Sequence, residues 1–357
     1  MLYPIIEPDF LGMEAKYLKT LRTGKEPLAT DLMDADTDVS VDMDEADATV
    51  ARLAKGRARL MDMLSHDRGI AQRTPPWYAA RDELLTASDL AQALGLGKFG
   101  TKLDLMRKKV TRAPQVEPGP NDFNPFLHGQ IFEDVALQLY QGTRDGVEVH
   151  DFGLLRHPTL RCFGCSPDGV SELGIMIEIK CPIRRKITGE IATQYMLQMQ
   201  GQMEVCDLDE CDFVEVELDT NFVSLSSLRL DARPWAEKGA VLSDADDKVH
   251  VYSPAGADED GIRAWMAANG RDPDDGAARD GLRLWAKRKM VVQRVRRDPA
   301  FWAENAPLIQ AFWDEVVAAR ALHAKGEQWE PPKKARRAPA PRREPPAAPF
   351  PDDVFGT

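Results

Sequence analysis

Three residues in the middle of this 357-residue chain have the types and spacing to do phosphodiester chemistry. Asp168 sits in a Ser166-Pro167-Asp168-Gly169 turn, and Glu178-Ile179-Lys180 begins ten residues later. If the two runs form a hairpin, the carboxylates of Asp168 and Glu178 converge on one point. Two hard carboxylate oxygens suit Mg²⁺, which keeps several waters and also accepts phosphate oxygen. Glu178 and Lys180 lie two apart, hence on one face of a strand. Lys180 would then orient or help deprotonate an attacking water, or stabilise charge developing at phosphorus. A bare acid–acid–lysine spacing arises readily by chance as a surface acid plus a solvated strand. The context is more informative, because charge set between apolar isoleucines and followed by Cys181-Pro182 is costly unless paired or used. Upstream, Glu133 could add a third carboxylate; its bland alternative is an ordinary solvent-facing helix glutamate.

The elements that must position these groups are legible as periodicity. Ile175, Ile177 and Ile179 alternate with Met176, Glu178 and Lys180, a period-two strand. Two strand-like runs precede it, VEVHDFGLLRH and LRCFGCSPDGVSE, with turns between. Residues 126–141 place Ile131, Val135 and Leu139 at helical spacing. Residues 187–206 read as a helix and 211–218 as a strand. Upstream, a helix begins at Trp77–Arg81 after Pro75-Pro76. Thr86-Ala87-Ser88-Asp89 then caps LAQALGL, and another helix falls near LDLMRKKV. A basic strand, MVVQRV, and an aromatic-rich helix follow within 284–322. The order helix, three strands, helix, strand predicts an α/β (α+β) fold with a central mixed sheet flanked by helices. Residues 1–66 read as an acidic, partly disordered accessory leader containing one amphipathic helix. Residues 67–325 read as the working domain, with an irregular insertion at about 223–282. Residues 326–357 read as a disordered Pro/Arg-rich tail.

Composition sets bounds. Net charge is −12, which by itself disfavours a partner made of phosphates. The charge is uneven, however: 31–48 is strongly acidic and 283–297 strongly basic. Shorter basic clusters fall at Arg107, Lys108, Lys109 and Arg112, and at Arg184, Arg185 and Lys186. Each is either a local basic groove or a solvated face. No apolar run approaches a membrane span, and the N-terminus has no secretory pattern, so an intracellular location without a membrane partner is expected. Five cysteines, an odd number, argue against a disulfide framework.

Five blocks in order resemble the bacteriophage lambda exonuclease and YqaJ-type viral recombinase family of PD-(D/E)xK nucleases. They are Trp77–Arg81 through Leu85–Ser88; His128–Gln130 through Phe132-Glu133; Phe163–Gly169; Ile177–Pro182; and Tyr195–Gln200. Met290–Trp313 resembles the family's last strand and helix more weakly. The resemblance implies a restriction-endonuclease-like core. It implies Mg²⁺, with Mn²⁺ able to substitute, on Asp168, Glu178, the Ile179 carbonyl and Glu133. Lys180 is then the catalytic lysine, with Tyr195 and Gln198 three apart on one helix face beside it. Arg81, Ser88 and Ser166 match positions that hold a DNA 5′-phosphate, chemistry suited to an Arg fork with hydroxyl donors. The implied activity is 5′-to-3′ degradation of one strand of linear duplex DNA, leaving 3′ single strands. A single-strand annealing protein is the implied partner, and a ring trimer the implied assembly.

Competing readings are a structure-specific endonuclease on the same fold, a catalytically inactive DNA-binding protein, and a cysteine-bound zinc or iron–sulfur relative. For the last, Cys162 and Cys165 fall in a strand whose alternation separates them. Two tail features complete the reading. Lys333–Arg337 has the composition of a nuclear import signal or a DNA-gripping basic tail. Pro351–Phe355 resembles the acidic-hydrophobic peptides that recruit replication proteins.

Overall fold

The structure, a computed structural model, describes residues 43–66, 68–112, 125–245, 247–273 and 281–330. Most of the acidic run, most of the 114–125 loop, and the tail with Lys333–Arg337 and Pro351–Phe355 lie outside the described residues. The helices are α1 (Met43–His66), α2 (Pro75–Asp82), α3 (Leu90–Ala93), α4 (Lys102–Thr111), α5 (Pro125–Gly142), α6 (Thr193–Cys206), α7 (Leu225–Leu230), α8 (Glu259–Ala268) and α9 (Pro299–Ala324). The strands are β1 (Leu85–Thr86), β2 (Val149–His150), β3 (Leu155–Arg156), β4 (Phe163–Cys165), β5 (Gly169–Ser171), β6 (Met176–Lys180), β7 (Glu210–Phe222), β8 (Lys238–Ser243), β9 (His250–Tyr252) and β10 (Leu282–Arg296).

Seven strands form one mixed sheet in the order β2-β5-β6-β7-β10-β8-β9, and β1-β4-β3 form a small second sheet. Within the large sheet only β6 and β7 run parallel. The period-two pattern decides what each face of β6 meets. Ile177 and Ile179 pack with Ile131, Phe132 and Val135 of α5 and with Val214 and Val216 of β7. Met176 lies on the other side, among Met199, Met203 and Phe213, beneath α6 and α9. Glu178 and Lys180 share Met176's face, so the α6 layer covers them. This is the mixed sheet flanked by helices that the element order predicts.

Three departures from the sequence reading have physical causes. The two runs before β6 each break in the middle and pass from one sheet to the other. The first breaks between β2 and β3 around Gly153, where a Cβ would stand 2.0 Å from the Ile70 carbonyl oxygen. The second breaks between β4 and β5 at Ser166-Pro167-Asp168, so Asp168 occupies the crossing between the two sheets. The segment read as an irregular insertion is instead built into the sheet. β8 pairs with the N-terminal part of β10, and Leu225, Leu228, Ile262 and Met266 form a core with Leu282 and Leu284. Its strands are too short to stand out, and β10 is masked by the charges of Lys287-Arg288-Lys289. Finally, the 283–297 run is not a free basic surface. Arg283 pairs with Asp247, Lys287 with Glu237, Arg288 with Asp219, Arg294 with Asp212 and Glu210, and Arg297 with Glu204.

Helix α1 forms where the amphipathic pattern places it and docks on the main core. Leu60 and Met63 are buried there. Arg52 pairs with Glu210, and Lys55 with Asp209. Gly56 meets the β5–β6 turn at Gly174, whose φ of +73° and proximity to the helix backbone leave no room for a Cβ.

Candidate active site

The β5–β6 hairpin brings Asp168 to the middle of β6. Its Oδ2 accepts a 2.6 Å hydrogen bond from the Ile179 N–H, which places the carboxylate beside the peptide that joins Glu178 to Lys180. Glu178 is fully buried. Its Oε1 accepts from the Lys180 ammonium in a very short contact and from Gln198 Nε2 at 2.7 Å. Its Oε2 accepts from Gln202 Nε2 at 2.8 Å. Tyr195 lies on the same face of α6, its ring 5.3 Å from the Lys180 nitrogen and 5.7 Å from the Phe213 ring. Glu133, on α5, pairs with Arg73 at 2.9 Å.

The electrostatics are those of crowded acids. Burial, then Glu178 and Glu133, push the Asp168 carboxyl well above its ordinary range, with Lys180 opposing. Burial also raises Glu133 against the pull of Arg73. Burial would lower Lys180, but Glu178 and Asp168 outweigh it and hold the ammonium above its usual value. Among the described residues, no three His, Cys, Asp or Glu side chains are grouped closely enough to hold an ion as they stand; Asp168 and Glu178 are turned onto internal donors instead. The donor set nevertheless fits a hard divalent cation, since positive charge would relieve the acid–acid repulsion that Asp168 experiences.

The three residues expected at a DNA end meet around Trp77. Ser166 accepts from Trp77 Nε1 at 3.0 Å, and the Arg81 guanidinium stacks over the same indole at 4.3 Å from its centroid. Arg81 Nη2 reaches Ser88 Oγ at 3.4 Å. Ser166 is two residues from Asp168, so this cluster adjoins the acids.

The cysteines are all free thiols and buried. Cys165 and Cys206 approach to 3.7 Å across β4 and α6, a contact that strand alternation alone does not reveal. Sequence reasoning passed over Gln202, Trp77 and Arg73. Gln202 had a signal, four residues beyond Gln198 on one helix face. Trp77 carried only its place in the resemblance. Arg73 had none, because its pairing with Glu133 spans 60 residues.

The β5–β6 hairpin thus presents two acids and a lysine beneath a glutamine-bearing helix in an α/β frame. Residues 76–209, a stretch that holds Glu133, Asp168, Glu178 and Lys180, match the YqaJ-like viral recombinase domain. An uncharacterised protein of Acanthamoeba polyphaga mimivirus is 26% identical over 309 residues, covering 73% of this chain and 55% of that protein. The chain therefore spans about half the length of this curated relative. Among solved structures, an alkaline exonuclease from Laribacter hongkongensis is 24% identical, covering 71% of this chain and 97% of that one, with a TM-score of 0.45. A phage-related exonuclease from Haemophilus somnus 129PT is 14% identical, covering 66% and 95%, with a TM-score of 0.36. Among the described residues, no helix is long and apolar enough to cross a membrane.

Proposed function

We propose that this protein is a Mg²⁺-dependent DNA exonuclease that degrades the 5′-ended strand of linear duplex DNA. The observation that carries this reading is a fully buried glutamate, Glu178, held against Lys180 one hairpin strand from Asp168. A buried carboxylate with this company is expensive to maintain for stability alone. Asp168, Glu178, the Ile179 carbonyl and Glu133 would hold the cation, which supplies Lewis-acid polarisation of the phosphodiester. Gln198 and Gln202 fix the Glu178 carboxylate from the α6 side, leaving its remaining lone pairs directed by geometry rather than by chance. Lys180, kept as an ammonium by Glu178 and Asp168, acts as a donor. It orients the attacking water and stabilises negative charge developing on the phosphoryl oxygens.

The polarity rests on Arg81, Ser88 and Ser166. Gathered at Trp77, they offer a guanidinium and two hydroxyls to a terminal phosphate dianion. Such a phosphate beside Asp168 would place the first internucleotide bond of the 5′-ended strand at the acids. The chain as an end-processing enzyme for recombination, with a single-strand annealing partner, follows as an extension of this reading.

The test uses purified full-length chain and an Asp168→Ala variant, in Mg²⁺ or EDTA, on strand-labelled linear duplex and on covalently closed circles. Mg²⁺-dependent loss of the 5′-ended strand, absent in the variant, is the expected result. Nicking of closed circles at a rate comparable to linear DNA would replace the reading with an endonuclease. Tight DNA binding without cleavage in any divalent metal would replace it with a non-catalytic binder.

A further inference from the structure

Lys109 is a buried lysine that the chemistry above does not use. It lies on α4 and is 2% exposed, and its ammonium donates to three acceptors from three segments of chain. These are the Arg81 carbonyl at 2.8 Å, the Leu84 carbonyl at 2.8 Å and Asp89 Oδ2 at 2.9 Å. An ammonium has three protons, and each has its own acceptor here. The same Asp89 oxygen accepts from the Thr86 N–H at 3.0 Å and the Thr86 hydroxyl at 2.8 Å. The Thr86 and Ser88 hydroxyls share a 2.9 Å hydrogen bond, and Arg81 Nη2 reaches Ser88 at 3.4 Å. The contacts close on themselves, from the Arg81 carbonyl through Lys109, Asp89, Thr86 and Ser88 back to the Arg81 guanidinium.

A second guanidinium locks this ring from behind. Arg320, from α9, donates to the Lys109 carbonyl at 3.0 and 2.7 Å, to the Asp82 carbonyl at 2.5 Å and to the Glu83 carboxylate at 2.9 Å. The C-terminal end of α2, which carries Arg81, and the turn that carries Ser88 are thus tied to one point.

An ion pair buried this deeply is a weak source of stability, because apolar residues of equal volume do as well or better. What it provides is a fixed geometry. We propose that Lys109 is a positioning residue for recognition of the DNA 5′-phosphate: it sets the separation of Arg81 and Ser88 while its own charge is cancelled by Asp89, so that the Arg81 charge remains for the phosphate. This inference rests on the terminal-phosphate role of Arg81 and Ser88 proposed above.

The experiment compares the full-length wild type with Lys109→Met, which keeps the length of the side chain and removes its protons. Steady-state cleavage in Mg²⁺ is measured on one linear duplex bearing either a 5′-phosphate or a 5′-hydroxyl. The wild type is expected to prefer the phosphorylated end through KM. In Lys109→Met that preference should shrink about tenfold, entirely in KM, with kcat on the hydroxyl end within about twofold of wild type. A folded Lys109→Met with the wild-type KM ratio overturns the inference, as does an equal loss of kcat on both ends. If the wild type itself has no preference between the ends, the phosphate reading of Arg81 and Ser88 falls, independently of Lys109. Should Lys109→Met not fold, Thr86→Val decides. It opens the ring between Asp89 and Ser88 and leaves the buried ion pair intact. The same KM-confined loss supports the inference, and an unchanged KM ratio overturns it.

Discussion

Replacing Asp168 with asparagine should stabilise the metal-free protein while abolishing its activity. In the folded chain Asp168 sits beside the fully buried Glu178 and near Glu133, and its carboxyl is pushed well above its ordinary value by burial and by those acids. A carboxyl whose folded pKa is raised contributes most to stability when protonated. That contribution is complete below the unfolded value near 3.8 and is lost as pH rises through the folded value. As pH rises from the unfolded value toward 8, Asp168 therefore works progressively against folding. Asparagine keeps an acceptor for the Ile179 N–H, now 2.6 Å from Oδ2, removes the charge and offers an N–H to the neighbouring carboxylate. Relief of this kind is worth about 1–2 kcal/mol, which for a domain of this size raises Tm by about 2–6 °C. The assay is thermal melting in EDTA from pH 5 to 8, repeated in Mg²⁺. The gap between Asp168→Asn and wild type should widen with pH. Mg²⁺ should raise the wild-type Tm, through preferential binding to the folded state, and leave the variant unmoved. An Asp168→Asn variant that melts below wild type at pH 8 in EDTA, or equal stabilisation of both by Mg²⁺, would refute the reasoning.

Three further outcomes follow from the same geometry. Lys180→Met should lower kcat by about 10²–10³-fold; because Lys180 is a quarter exposed, the stability cost of stranding Glu178 is discounted to about 1–3 kcal/mol, read by urea melts, and near-normal kcat would remove Lys180 from the chemistry. Leu60→Ala should destabilise the whole domain by about 2–4 kcal/mol, since Leu60 is 2% exposed in the main core; an unchanged Tm would show that α1 docks without contributing. Burial would raise the Asp89 carboxyl, but Lys109, Lys108 and Arg81 together hold it well below its usual value, so its contribution is present above about pH 4 and declines as pH falls further. Asp89→Asn should accordingly be less stable than wild type at pH 7, with the difference closing below about pH 4. A difference that stays constant down to pH 2 would contradict the ion pair.

What could be read in the sequence follows from how local each signal is. The period-two run around Glu178 and the helical spacing of Ile131, Val135 and Leu139 are local, and both elements form as read. The acids converge because the Asp168 turn and the Glu178 strand are hairpin neighbours, again a short-range relation. The glutamine clamp on Glu178 was half visible: Gln198 lay in a recognisable block, whereas Gln202 one turn on looked like any helix glutamine. The strand run VEVHDFGLLRH gave no sign that it changes sheets, because the cause is a close approach of Gly153 to Ile70, 83 residues away. The basic stretch 283–297 looked like a nucleic-acid surface because its partners, Asp212, Asp219, Asp247 and Glu204, come from elements distant in sequence. Lys109 read as one member of a basic cluster, and only the tertiary structure buries it.

The most direct test of the central claim is the identity of the first product. Linear duplex carrying a 5′-³²P label is mixed with the protein and Mg²⁺, and the earliest released label is resolved by size. Label is expected to leave at once as a 5′-mononucleotide, with the complementary 3′-ended strand intact. Label released in oligonucleotides, or retained while the 3′ end shortens, would contradict the placement of the 5′-phosphate beside Asp168.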